Sequence, residues 1–179
     1  MEPREVLAAF EGRLVHAQRS FEAIVVGGAA LVLLGVIRRR TRDVDVLTPD
    51  IPAEVLAVAR VTAAALREEG IAVRDDWLNN GPKSLQDTLP TDWRQRVVPL
   101  YRGPGLVLWT LGRSDFLKTK LFAHCDRGAD RADCLALRPT AEELQEALPW
   151  VVAQDAHPGW PEHVRVTLAE LAQELGHGI

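Results

Sequence analysis

Apolar positions near the start of the chain change from helical spacing to strand spacing and back. Four of them recur at three- and four-residue intervals and predict an amphipathic helix over residues 3–19: Val6, Leu7, Phe10 and Leu14. The short apolar run Phe21–Val26 predicts a buried strand, which Gly27 and Gly28 end. Residues 29–36 are apolar on all sides, and we therefore expect a buried helix there.

Strand and helix patterns continue to alternate along the next part of the chain. Acidic and aliphatic residues alternate over residues 43–47, which is typical of a strand, and a helical pattern follows over residues 53–69. Residues 71–74 are compatible with a third strand. Residues 97–101 and 106–111 flank a Gly-Pro-Gly turn and predict a β-hairpin.

The last third of the chain has helical signals. Ser114 and Asp115 predict the start of one helix, and Asp130 predicts the start of a short second one. Thr140 is followed three residues later by Glu143, the signature of a capping box. Each of these positions precedes an apolar helical period, so a run of consecutive helices is expected.

The order of these elements predicts an α+β fold. We expect a mixed β-sheet flanked by helices in residues 1–112 and a helical C-terminal region in residues 113–179. The helical region, whose last helix is expected over residues 158–175, should pack on the core as a single compact unit.

Composition and charge exclude several classes of protein. The longest apolar run is much shorter than the roughly 20 residues that cross a membrane, and the charged N-terminus does not resemble a signal peptide. Cys125 and Cys134 lack the spacing of a zinc site or a disulfide framework. The net charge of −4 disfavours a broad nucleic-acid surface but is compatible with a local basic patch. We therefore expect a cytoplasmic protein with no membrane association.

The most informative polar pattern is Asp43-Val44-Asp45. Residues two apart on a strand point to the same face, so both carboxylates would project together. Such a pair is stable when it is solvated or when a cation lies between the carboxylates, and oxygen ligands of this kind suit Mg²⁺ or Mn²⁺. Alone, the pair is better explained as the solvated face of an edge strand. The preceding strand, Gly27-Gly28 turn, helix and arginine-rich loop favour a metal and phosphate site instead.

These segments resemble a known signature. The stretches around Gly27-Gly28 and the run from Arg39 to Asp45 are similar to the nucleotidyltransferase superfamily, and in detail to AbiEii-like toxins and DUF6036-type nucleotidyltransferases. The resemblance implies a nucleotidyltransferase-like sheet on which Asp43 and Asp45 bind Mg²⁺ or Mn²⁺. It implies that the nucleotide is bound by five residues of this region: Gly27, Gly28, Arg39, Thr41 and Arg42.

The function that the resemblance implies is transfer of a nucleoside monophosphate from an NTP to a hydroxyl of RNA, a protein or a small molecule. A toxin-like role with an antitoxin partner is part of the same expectation. Two alternatives remain open: a catalytically weak nucleotide-binding module that acts through a protein partner, and a metal-dependent phosphate-ester hydrolase.

A second segment adds a cationic and an acidic group. Lys120 and Arg127 lie seven residues apart, on one helix face, and both can bind phosphate oxygens. The resemblance to AbiEii-like proteins implies that Lys120 contacts the nucleotide and that Asp130 or Asp133 is a later catalytic acid. The alternative is a set of ion pairs on the protein surface, with Asp130 as a helix cap.

The sequence departs from the superfamily pattern in one respect. Many nucleotidyltransferases carry a third carboxylate on a later strand, and neither strand of the predicted hairpin contains one. Asp75 and Asp76 follow the weak third strand, but adjacent acids before a turn are more typical of a solvated strand end. We therefore expect weaker metal binding, or catalysis that depends on the acid of the helical region.

Overall fold

The computed structural model describes residues 1–177, which divide into two compact units. The first unit is Met1–Leu111, and the second begins at Gly112. The first contains every strand of the described chain, whereas the second is helical. The α+β class expected from the sequence is therefore confirmed.

The first unit contains one five-stranded mixed sheet with the strand order β3-β2-β1-β5-β4. Its β1–β2 and β4–β5 pairs are antiparallel, and its β1–β5 and β2–β3 pairs are parallel. The helices and strands of this unit have the following bounds: α1 Pro3–His16, β1 Phe21–Val26, α2 Gly27–Leu33, β2 Val44–Thr48, α3 Ala53–Glu68, β3 Leu78–Asn79, β4 Val98–Arg102 and β5 Leu106–Thr110. Short 3₁₀ segments occupy Lys83–Asp87 and Trp93–Arg96.

The two faces of the sheet differ because side chains alternate along each strand. Val25 and Val46 face each other across the β1–β2 pair and are fully buried. Ile24 and its β5 neighbour Trp109 lie on the opposite face and are half-buried. Candidate polar groups on this second face are therefore accessible to a ligand, whereas those on the first would be enclosed in apolar side chains.

The predicted helix, strand and hairpin patterns of this unit are confirmed, with one exception. Residues 71–74 are not a strand, and β3 is formed further along the chain, at Leu78–Asn79. The carbonyl of Val73 accepts a hydrogen bond from the Arg67 side chain at 2.8 Å rather than from a strand. The carbonyl of Trp77, in contrast, accepts from the backbone N–H of Val44 at 2.6 Å and begins the pairing with β2.

The second unit consists of four helices within the described residues: α4 Arg113–Arg127, α5 Arg131–Leu137, α6 Ala141–Val152 and α7 Trp160–Glu174. The expected cap at Ser114 and Asp115 is wrong, because α4 begins one residue earlier with Gly112 as its N-cap. The capping box of Thr140 and Glu143 is confirmed. No helix among the described residues has the length and apolar character needed to cross a membrane.

Candidate functional site

A close contact between the Gly27 turn and Asp45 forms the centre of the site. β1 ends at Val26, which is paired with Asp45 of β2, and the chain turns at Gly27 with a φ of +76°. A Cβ atom at position 27 would lie 2.6 Å from Asp45 Oδ2. Both the backbone conformation and the space therefore require glycine, because L side chains disfavour positive φ and atoms do not approach so closely.

The other side of the turn faces the arginine-rich loop. A Cβ atom at Gly28 would lie 3.5 Å from Thr41 Cγ2 and 3.6 Å from Arg39 Nη2. Thr41 is only 8% exposed, and its hydroxyl has no hydrogen-bond partner within residues 1–177. A buried hydroxyl without a partner is unfavourable unless a ligand supplies one.

Asp43 and Asp45 differ in their surroundings. Asp45 lies between Val44 and Val46, which are fully buried, so its carboxylate projects from the accessible face of the sheet. β2 begins one residue after Asp43, which is half-buried. The pKa of the Arg74 guanidinium is raised, mainly by its hydrogen bond to Asp76 and to a smaller extent by the charge of Asp43. Asp43 is therefore close enough to Arg74 for their charges to interact.

A basic pocket of about 440 Å³ shares Arg39 with this region. Its wall contains four arginines, with Glu2 as the only acidic lining residue: Arg4, Arg38, Arg39 and Arg40. Arginines present several donors to phosphate oxygens, so this pocket suits a polyanion. Arg42, the remaining arginine predicted to bind nucleotide, is exposed just before Asp43.

Sequence reasoning missed Asn79. The β2–β3 register pairs Asn79 with Asp45, so the amide lies on the strand next to the carboxylate. A Cβ atom at Gly81 would lie 2.8 Å from Asn79 Oδ1 and 3.9 Å from Asp45 Oδ1. This strand is hard to recognise in the sequence because only Leu78 and Asn79 form it, and the following residues resemble an ordinary turn.

A sequence profile of the family described as "nucleotidyltransferase of unknown function" (DUF6036) matches residues 5–138. This match covers most of the chain. The protein belongs to the DUF6036 family. No curated protein and no solved structure matches the chain significantly. The matched segment includes Gly27, Asp45 and Asn79 of the first unit and Lys120 of the second.

The donor set of this DUF6036 chain fits a divalent cation only in part. No group of three or more His, Cys, Asp or Glu side chains in residues 1–177 is arranged to hold a metal ion. Oxygen donors are present at Asp43, Asp45 and Asn79, and Mg²⁺ is commonly bound by one or two carboxylates together with substrate phosphates. The site therefore fits Mg²⁺ or Mn²⁺ that is shared with a nucleotide better than a cation bound by protein alone.

The alternative acids of the DUF6036 chain, Asp75 and Asp76, are exposed and paired with arginines. Arg67 donates to Asp75 at 2.8 Å, and Arg74 donates two hydrogen bonds to Asp76. The hydrogen bond from Arg74 is the main reason that the pKa of Asp76 is lowered. These contacts agree with solvated acids, although the segment before them is not the strand that was expected.

Lys120 of the second unit is buried with two acids. Its Nζ lies 2.9 Å from Asp133 Oδ2 and 3.3 Å from Asp130 Oδ2, and Lys120 and Asp133 are both at least 95% buried. Asp130 is the N-cap of α5 by position, but its side chain makes no capping hydrogen bond. Arg127 is exposed, with its Nε 3.8 Å from the carboxylate of Asp126. Within this unit, both candidate acids contact Lys120, and Arg127 is not part of the cluster.

Proposed function

We propose that this DUF6036 protein is a metal-dependent nucleotidyltransferase that uses an NTP as donor. The observation that carries the proposal is the contact between the Gly27 turn and the Asp45 carboxylate. Because position 27 has no side chain, the carboxylate that would hold the cation lies directly against the turn that would bind the phosphates. The membership of the chain in a family described as nucleotidyltransferases supports the same conclusion.

The protein residues have distinct roles in this proposal. Backbone N–H groups of the Gly27-Gly28 turn bind the β- and γ-phosphates, and Arg39 and Arg42 balance their charge. The Thr41 hydroxyl donates its hydrogen to a phosphate oxygen. Asp43 and Asp45 would hold Mg²⁺ or Mn²⁺, which supplies charge neutralisation and activation of a hydroxyl when bound.

The bond changes balance without a further co-reactant. An oxygen of the acceptor hydroxyl forms a bond to the α-phosphorus, and the bond from that phosphorus to the bridging oxygen breaks. Pyrophosphate leaves with the electron pair, and the hydroxyl proton is lost to solvent. The fixed charges around the turn favour the departure of pyrophosphate because they are already oriented before the reaction begins.

The acceptor is proposed to be RNA. The arginine-lined pocket shares Arg39 with the phosphate-binding turn, and a surface of this charge favours a phosphate-rich acceptor over a neutral one. A protein hydroxyl and a small molecule are the other outcomes that the experiment distinguishes. A toxin-like role with an antitoxin partner follows from the sequence resemblance and is tested separately, by co-expression with the adjacent gene.

Label transfer tests the proposal directly. The full chain is incubated with each α-labelled NTP and Mg²⁺ or Mn²⁺, in separate reactions with total tRNA or cell lysate. Asp45→Asn is the test variant. Asp50→Asn is the matched control, since Asp50 follows the same strand but is exposed and paired with Lys83. Label on RNA that Asp45→Asn abolishes and Asp50→Asn preserves supports the proposal, and absence of transfer to any acceptor contradicts it.

A second candidate function is supported by the amide at position 79. A neutral side chain beside Asp45 lowers the charge available for metal binding, as expected for a nucleotide-binding module that acts through a protein partner. Calorimetric binding of an NTP without transfer to any acceptor would favour this module. Release of phosphate from a simple phosphate ester would instead favour a hydrolase.

A further inference from the structure

Asn79 lies beside Asp45 on the neighbouring strand of the sheet. β2 and β3 are parallel neighbours, with Val44 paired with Leu78 and Asp45 paired with Asn79. Adjacent strands are about 4.8 Å apart, and paired residues project from the same face. Val44 and Leu78 are both buried, so Asp45 and Asn79 project together from the opposite, accessible face.

The amide oxygen of Asn79 is held in a fixed orientation. Asn79 Oδ1 accepts a hydrogen bond from the backbone N–H of Gly81 at 2.7 Å. A carbonyl oxygen has two lone pairs, so this bond leaves one available for a cation. The gap beside Gly81, where a Cβ would be 2.8 Å from Asn79 Oδ1 and 3.9 Å from Asp45 Oδ1, borders both oxygens.

The next residue anchors this loop to the rest of the site. Asn80 Nδ2 donates to the carbonyls of Val46 and Pro49 at 3.1 and 3.0 Å, and Asn80 Oδ1 accepts from the N–H of Ile51 at 2.9 Å. Both ends of the Asn80 side chain are thus bonded to the segment that follows Asp45. The position of Asn79 relative to Asp45 is therefore restrained by hydrogen bonds between Asn80 and the segment that follows Asp45.

We propose that Asn79 Oδ1 is the third protein oxygen of the cation site, and that its neutrality makes cation binding depend on the nucleotide. The inference rests on the proposed function, because the cation is the one assigned there to Asp43 and Asp45. With two carboxylates and one amide, the protein supplies a charge of −2. The phosphates of the NTP then supply the additional negative charge and oxygen ligands.

Substitution of this amide by a carboxylate is the direct test. Asn79→Asp keeps the acceptor for the Gly81 N–H and raises the charge of the site to −3. At a separation of about 4 Å, one added charge beside a divalent cation is worth more than 1.4 kcal/mol even in bulk water, or about tenfold in affinity. Ser84→Asp is the control, because it adds the same charge to an exposed residue of the following 3₁₀ segment.

Two measurements on the full chain separate this inference from the proposed function. Electron paramagnetic resonance of free Mn²⁺ gives cation affinity without nucleotide, and calorimetry with a non-hydrolysable NTP analogue gives nucleotide affinity with and without Mn²⁺. We expect the wild type to bind the analogue only with Mn²⁺. We expect Asn79→Asp to bind Mn²⁺ alone at least about tenfold more tightly than the wild type, and Ser84→Asp to leave that affinity unchanged.

The charge-restoring variant Asp45→Asn/Asn79→Asp tests whether a loss of binding in Asp45→Asn is caused by the lost charge or by a folding defect. It has the wild-type charge, and we expect it to retain Mn²⁺-dependent binding of the analogue, whereas Asp45→Asn alone loses it. Equal Mn²⁺ affinity in Asn79→Asp and Ser84→Asp overturns the role of Asn79. The proposed function is unaffected by that outcome as long as the wild type binds the analogue in the presence of Mn²⁺. Absence of any Mn²⁺-dependent nucleotide binding in the wild type contradicts the proposed function and this inference together.

Discussion

Gly27 and Asp45 are in contact across the end of the β1–β2 pair, and the missing side chain of one makes room for the carboxylate of the other. The distance of 2.6 Å from a Cβ at position 27 to Asp45 Oδ2 is shorter than any normal contact between these atoms. Gly27 also has a φ of +76°. Two independent requirements for glycine thus meet at the residue where the proposed phosphate site begins.

Gly27→Ala should therefore impair nucleotide binding more than its effect on stability would explain. The added methyl group forces the Asp45 carboxylate away from the turn, and we expect affinity for an NTP analogue to fall at least about tenfold. The positive φ costs about 1–2 kcal/mol of folding free energy. Calorimetry and urea unfolding measure the two effects.

Gly70→Ala provides the matched control for this variant. Gly70 has a similar φ of +83°, but apart from its chain neighbours no atom of residues 1–177 lies within 4 Å of the position of its Cβ. It should show the same loss of stability and normal nucleotide affinity. Equal nucleotide affinity in the two variants would show that the contact with Asp45 is unimportant.

The features of this site that depend on neighbouring residues could be predicted from the sequence, whereas those that depend on strand pairing could not. Alternating burial around Val44 and Val46 places Asp45 on the accessible face, and Gly27 ends a run of strand residues. Asn79 became visible only through its register with β2, because a two-residue strand has no periodicity of its own.

Burial was a second property that the sequence did not disclose. Lys120 was predicted from its motif as a nucleotide contact, with ion pairs on the surface as the alternative. The pattern gave no indication that Lys120 is only 5% exposed where it meets the two acids. Periodicity places a residue on a helix face, while the acid that meets it depends on the turn between α4 and α5. That turn has positive φ at Gly128 and Asp130, which no helical period encodes.

Lys120→Met should strongly destabilise the second unit. It removes the positive charge between Asp130 and Asp133 and breaks the ion pair of the buried Asp133 carboxylate, which costs about 3–5 kcal/mol in comparable cases. Urea unfolding followed by circular dichroism measures the change. A loss of activity in this variant supports the nucleotide contact that the sequence resemblance implies for Lys120 only if the protein remains folded under the assay conditions.

Lys118→Met is the control for the loss of a lysine from the same helix. Lys118 is only half-buried, and we expect a change of less than about 1 kcal/mol. Adding Asp133→Asn to Lys120→Met should restore part of the lost stability, because a buried negative charge that has lost its lysine is removed. Similar stability of Lys118→Met and Lys120→Met would refute a structural role for the buried cluster.

The hydrogen bond between Tyr101 and Glu11 should give the first unit a stability that declines at high pH. Tyr101 donates to Glu11 Oε2 at 2.6 Å. Burial, followed by the hydrogen bond and charge of Glu11, raises the pKa of Tyr101 from 10.0 to about 12. Because the folded-state pKa is the higher one, the stabilisation is complete below pH 10 and is lost as the pH rises through 12.

Two measurements test this dependence. Tyr101 is the only tyrosine of the chain, so absorbance of tyrosinate reports its titration directly. Tyr101→Phe should lower the free energy of unfolding by about 1.5–3 kcal/mol at pH 8, the range for hydrogen bonds to charged groups. The difference from the wild type should shrink between pH 10 and 12. Titration of the native tyrosine near pH 10 would contradict the expected shift.

Thr41 should contribute to ligand binding without contributing to stability. Its hydroxyl is buried and has no partner among the described residues, so Thr41→Val removes an unsatisfied group while keeping the shape of the side chain. We expect the free energy of unfolding to stay constant or to rise by about 1 kcal/mol. Affinity for an NTP analogue should fall several-fold, since the phosphate loses the donor that the hydroxyl provides.

Thr110→Val is the control, because the fully buried Thr110 hydroxyl does have a partner: it donates to the carbonyl of Val25 at 2.7 Å. That variant should lose about 1–3 kcal/mol of stability through the loss of this buried hydrogen bond and retain normal nucleotide affinity when folded. Unchanged nucleotide affinity in Thr41→Val would remove Thr41 from the phosphate site.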